Sequence, residues 1–142
     1  MTNDQKKLPD IIQTVTVQAP IQKVWDYIST AEGIAEWFMP SDFQPEEGFA
    51  FTIQSPFGPS PCKVIEVDKP YKISFEWDTD GWIVTFLLKE IDNETEFTVI
   101  HGGWKDEGAI VPKAQRPNTE IRNTMNQGWA GIVLKFKKVV EV

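Results

Sequence analysis

The feature that most constrains this chain is its last apolar stripe. From Ile121 to Val140, apolar residues fall at Ile121, Met125, Trp129, Ile132, Phe136 and Val139/Val140. That is the 3.6-residue period of a helix with one inward face. Gly128 and Gly131 interrupt the stripe beside Trp129 and Ala130. A glycine inside a helix costs up to about 1 kcal/mol against alanine, so two of them call for a reason. The reading adopted is geometric: the helix is thinned where a sheet curves around it, leaving a hollow lined with aromatic rings. Close helix–sheet packing without any void is the competing reading.

What precedes the helix supplies the sheet. Ile11–Gln18 alternates, with Val15 and Val17 on one face and Thr14 and Thr16 on the other. Ala19-Pro20 stops it, and Ile21, Val24, Trp25 and Ile28 make a short amphipathic helix. Thr30 is placed to cap a second short helix carrying Ile34, Trp37 and Phe38 and ending by Pro40. Five strand-like runs follow. Phe49, Phe51 and Ile53 alternate inward, and Ser55–Pro61 reads as a proline-stiffened lip. Cys62–Val67 has no clean alternation, and one register would turn Glu66 inward. Ile73, Phe75 and Trp77, then Trp82, Val84, Phe86 and Leu88, then Phe97, Val99 and His101 form three further inner faces. Gly103–Arg116 reads as a polar loop with at most one short turn. Strands grouped apart from helices define an α+β fold with a curved antiparallel sheet of about six to seven strands.

Residues 1–10 are polar and expected to fray, and residues 11–142 are expected to form one domain. The net charge of −7 argues against nucleic acid and anionic membrane surfaces. No apolar run is long enough to span a bilayer. With Cys62 the one cysteine and no export leader legible at the start, a cytoplasmic protein is expected. One histidine and one cysteine cannot make the usual zinc set, so neither metal nor cofactor is expected.

Several local patterns together resemble one family. Val17-Gln-Ala-Pro-Ile-Gln-Lys-Val-Trp25, Trp37-Phe38-Met39-Pro40, Val84-Thr-Phe-x-Leu with Phe97-x-Val-x-His101-x-Gly103, and Gly128-Trp129 occur in an order similar to that of the START-like superfamily, also called SRPBCC or helix-grip. The closer resemblance is to the branch named after the activator of the ninety-kilodalton heat-shock-protein ATPase. It spans Ile12 to Val140. It implies a cavity between the long helix and the sheet, used by relatives for lipids, sterols and polyketides. Some relatives are cyclases or aromatases, and others stimulate a chaperone in the stress response.

The expected ligand-binding set is Trp37, Phe38, Phe51, Phe57, Phe75, Trp77, Trp82, Phe86, Phe97, His101, Met125 and Trp129. For any one of these rings alone, a filled core is the simpler reading. Taken together in a container-like fold they favour a pocket for a flat apolar guest. His101 is read as a buried imidazole bonded to a strand or a tryptophan in preference to an acid/base. A Cys62–His101 nucleophile has no orienting third group. The leading expectation is therefore binding or transport of an apolar small molecule, with no catalytic residue assigned. A chaperone-ATPase modulator acting through its surface is the alternative, and a cyclase-like enzyme using His101 comes last.

Overall fold

The computed structural model describes residues 7–55 and 58–142. The elements run β1 (Ile11–Val17), α1 (Ile21–Ile28), α2 (Ala31–Trp37), β2 (Ala50–Ser55), β3 (Gly58–Asp68), β4 (Lys72–Trp77), β5 (Trp82–Ile91), β6 (Glu94–Gly102), β7 (Ile110–Val111), β8 (Arg116–Pro117) and α3 (Asn118–Val140). Six strands form one antiparallel sheet in the order β1-β6-β5-β4-β3-β2. Strands β2 to β6 are a hairpin meander. The first strand joins at the far edge, beside the last strand of that meander.

Local chemistry accounts for the elements. Ile21, Val24, Trp25 and Ile28 form the buried stripe of α1. The Thr30 hydroxyl accepts the Gly33 N–H at 2.9 Å and caps α2, satisfying an amide that helix geometry leaves open. On β4, β5 and β6 the alternating residues Ile73, Phe75, Trp77, Trp82, Val84, Phe86, Leu88, Phe97, Val99 and His101 all face the core.

Strand β3 is where the simple alternation fails. A bulge lies between Val64 and Glu66, so Ile65 is an extra residue on that strand. Cys62 and Val64 point inward before it. After it the parity reverses: Val67 packs on the core, and Glu66 turns out to pair with Lys72 at 2.9 Å. The inward Glu66 is thereby corrected, because one inserted residue exchanges the two faces of a strand.

The proposed lip is also corrected in part. Gly58 to Pro61 belong to β3 and pair with Ser55 to Thr52. Prolines are tolerated there because β3 has not yet begun its ladder with β4, which starts at Cys62. The polar stretch 103–116 is not all loop either: β7 and β8 form a two-stranded ribbon of their own. Gly103, at φ +86°, has no room for a side chain, since a Cβ there would lie 2.0 Å from the Gly81 carbonyl oxygen. That close approach presses the end of β6 against the β4–β5 turn.

The long helix lies on the inner face of the sheet, along β1. Gln13 donates to Asn126 at 2.9 Å, and the Arg122 guanidinium donates to the Pro9 and Asp10 carbonyls at 2.7 and 3.2 Å. Lys137 donates to the Thr16 carbonyl at 2.7 Å. Lys7, Leu8, Pro9 and Asp10 are thus not free: Leu8 N–H also bonds the Lys105 carbonyl, and Lys7 bridges to Asp106. At the helix end, Glu141 accepts from Lys137 and from the Gln18 N–H. These bonds hold its carboxyl below the usual range.

Candidate functional site

The carboxyl-terminal half of α3 closes fully on the sheet and the amino-terminal half does not. Val133, Phe136 and Val140 are buried. Phe136 stacks on Phe97 with ring centres 4.0 Å apart and meets Trp37 edge-on at 4.8 Å. About two to four helical turns earlier, Met125 and Ile121 are only half-buried. Between that half of the helix and the β3–β5 side of the sheet lies a half-open cavity of about 660 Å³. This falls within the roughly 300–1,000 Å³ of small-molecule sites.

Its wall is assembled from five places in the chain. The helix contributes Ile121, Thr124, Met125, Gly128, Trp129 and Ile132. The end of α2 contributes Phe38 and Met39, and the β4 and β5 ends contribute Trp77 and Trp82. Ser55 and Pro59 to Pro61 form one rim. Val111 to Ala114 roof the space, so the 103–116 segment covers the cavity. The rings meet at defined angles. Phe38 stacks on Trp129 at 5.2 Å and 19°, and Trp77 stands edge-on to both.

The twelve residues expected from sequence separate into four groups. Phe38, Trp77, Trp82, Met125 and Trp129 line the cavity together. Trp37, Phe51, Phe75, Phe86 and Phe97 are buried in the packed interior and do not line it. Their edge-to-face contacts, such as Phe75 on Phe86 at 5.7 Å and Trp37 on Phe97 at 5.6 Å, are those of a filled core. Phe57 lies outside the described residues. His101 stands behind the wall, fully buried.

Of the two glycines, only Gly128 borders the cavity. A Cβ at either position would meet nothing within 4 Å. Gly131 is solvent-facing, so the thinned-helix reading is corrected for Gly131, while Gly128 stands at the cavity's edge. No contact in the structure explains Gly131.

His101 is surrounded by indoles. Its Nδ1 accepts the Trp129 Nε1–H at 3.0 Å, and its carbonyl accepts the Trp104 Nε1–H at 2.9 Å. Trp82 and Trp104 each lie 4.7 Å from its ring centre. Nε2 has no partner among the described residues. Burial first, and the Arg122 charge second, push the imidazole pKa down to about 3. It is neutral at physiological pH. Leaving one buried polar atom unmet costs about 1–3 kcal/mol.

Cys62 and His101 do not meet. Cys62 is on β3 and His101 on β6, with β4 and β5 between them, about 14 Å at ordinary strand spacing. Burial pushes the Cys62 thiol up to about 12, far from a thiolate. Among the described residues no group of three or more His, Cys, Asp or Glu side chains could hold a metal ion. No described helix is long and apolar enough to cross a membrane.

Sequence reasoning passed over the polar fittings of the mouth. Lys113 spends its three N–H groups on the Asp78 carboxylate at 2.8 Å, the Ser60 hydroxyl at 2.8 Å and the Pro59 carbonyl at 3.1 Å. It straps the roof to the rim. Lys105 likewise pairs with Asp80 at 2.5 Å. One lysine in a polar stretch carries no pattern, so nothing in the sequence marked it. Asp78 and Asp80, in the turn between β4 and β5, supply the acidic half of these pairs.

A curved antiparallel sheet gripping one long helix, with a hollow between them, is the helix-grip architecture. The chain belongs to the family described as activator of Hsp90 ATPase homolog 1-like protein, whose model matches residues 18–141. It is similar to the solution structure of protein BH1534 from Bacillus halodurans at 49% identity and a TM-score of 0.89, covering 95% of this chain and 99% of that one. It shares its fold with the Aha1 dimer from Colwellia psychrerythraea at 16% identity and a TM-score of 0.73, covering 95% and 98%. The same holds for CalU16 from Micromonospora echinospora, at 17% identity and a TM-score of 0.73, covering 96% and 82%. No curated protein matches the chain.

Proposed function

We propose that this protein binds or carries a flat, apolar small molecule in the cavity beside Trp129. One observation carries the reading: the aromatic lining does not close over the amino-terminal half of α3, leaving about 660 Å³ faced by Phe38, Trp77, Trp82, Met125 and Trp129. Planar rings at stacked and perpendicular angles favour a planar guest. The charges at the mouth are already paired, Lys113 with Asp78 and Lys105 with Asp80. Selection then rests on shape and apolar contact. A guest burying about 300 Å² of apolar surface gains roughly 7 kcal/mol before ordering costs, which points to micromolar binding or weaker.

The lining offers little for acid/base chemistry. His101 is neutral and walled off, and Cys62 is protonated. The test is a screen of lipid, sterol and polycyclic aromatic compounds followed by tryptophan fluorescence and amide chemical shifts. Supporting hits shift the amides of Met125, Gly128 and Trp129. A screen in which every hit perturbs only the outer sheet face rejects the reading. Retention of a chaperone from lysate, abolished by surface charge reversal and indifferent to Trp129→Ala, would favour the modulator alternative.

A further inference from the structure

Trp129 is the largest ring the helix puts into the cavity wall, and its ring neighbours in that wall are Phe38, stacked on it, and Trp77, edge-on to it. Gly128 beside it has no side chain, and the space where a Cβ would lie is empty. Phe38, stacked on it, is itself only half-buried. The directional restraint comes from behind, through the bond from Trp129 Nε1–H to His101 Nδ1. An indole nitrogen can only donate, so Nδ1 must present its lone pair and the imidazole proton must sit on Nε2. The bond is buried, where it is stronger than in water. His101 is in turn immobile: it sits on a central strand between β1 and β5, with Trp77, Trp82 and Trp104 packed about its ring.

We infer that His101 is a positioning residue for ligand uptake. It does not touch the guest. It holds the Trp129 indole in the one orientation that keeps the cavity open and its wall flat. The inference rests on the cavity being the binding site. It explains why a chain should bury a polar ring, with Nε2 unmet among the described residues, in the middle of its aromatic core.

The experiment uses the full chain and the neutral, flat probe N-phenyl-1-naphthylamine, with fluorescence titration and the indole ¹H–¹⁵N signal of Trp129 as readouts. His101→Leu removes the acceptor. His101→Asn keeps an acceptor near the Nδ1 position. Trp129→Phe keeps a ring and removes the donor. The expected result is an affinity loss of about tenfold in His101→Leu and in Trp129→Phe, the effect of one ordinary hydrogen bond. The double variant should lose no more than either alone, as for two halves of one interaction. His101→Asn should stay within about threefold of the parent and keep the Trp129 indole proton protected from exchange. Should His101→Leu fail to fold, Trp129→Phe and His101→Asn carry the test. A parent-like affinity in Trp129→Phe, or equal losses in His101→Asn and His101→Leu, overturns the inference while leaving the binding reading intact. A parent chain that takes up no probe overturns both.

Discussion

At the scale of single residues, the two helix glycines separate what is structural from what belongs to the cavity. Neither Cβ would meet an atom within 4 Å, so alanine fits at both positions. Gly128→Ala and Gly131→Ala should each raise stability by up to about 1 kcal/mol through helix propensity, read by thermal or urea unfolding. Only Gly128→Ala should weaken uptake of the probe, because only that methyl enters the cavity. A loss of stability in Gly128→Ala would mean that the space is filled in solution. The bias of the sequence was legible here, since two glycines beside a tryptophan in an apolar stripe are costly. Which of the two faced the hollow was not, because they stand only about 60° apart on the helical wheel and only the seat of the helix on β1 sets its rotation.

At the scale of elements, the roof is tied to the start of α3 through Asn118 and to the rim through Lys113. The ribbon β7–β8 pairs only with itself, and Lys113 ties it to the rim through three acceptors. Lys113→Met should speed amide exchange across residues 109–117 with little change elsewhere, and should raise both on-rate and off-rate of the probe. The stability change should be small, within about 1 kcal/mol, because the ion pair is partly exposed. Equal exchange in parent and variant would show that Lys113 does not restrain the roof. The strap escaped sequence reading because its partners are 35 to 54 residues away and lie on a turn and a strand. The bulge in β3 escaped for a related reason. Val64, Ile65 and Val67 announce an irregularity, but whether Ile65 or its neighbour is extra depends on the partner strand's register.

For the whole molecule, His101 couples folding to pH. Its folded pKa of about 3 lies below its ordinary value of 6.5, so the native state resists protonation and the unfolded chain does not. Stability from this group is therefore complete above about pH 6.5 and falls as pH drops toward 3, by about 1.4 kcal/mol per unit. Urea unfolding between pH 6.5 and 4.5, above the main carboxylate range, should show that slope in the parent and lose it in His101→Asn. A parent chain of constant stability over that interval would contradict a neutral buried imidazole. Proteins of this size hold about 5–15 kcal/mol in all, so the loss is a large share of it.

The order of the elements other than the β7–β8 ribbon, the inner faces of five strands, the capped second helix and the family were all written in local patterns: periods of two and of 3.6, prolines at element ends, and short motifs in sequence. Those signals report which way a side chain points, and direction is a property of the backbone within one segment. Whether a ring that points inward meets another ring or an empty space is a different kind of fact. Phe86 and Trp77 are both inward residues of neighbouring strands, yet one is packed on every side and the other faces the cavity. The difference arises where α3, anchored along β1, parts from the β3–β5 side of the sheet. That gap is set by the packing of distant segments against each other, and no stretch of chain contains it alone.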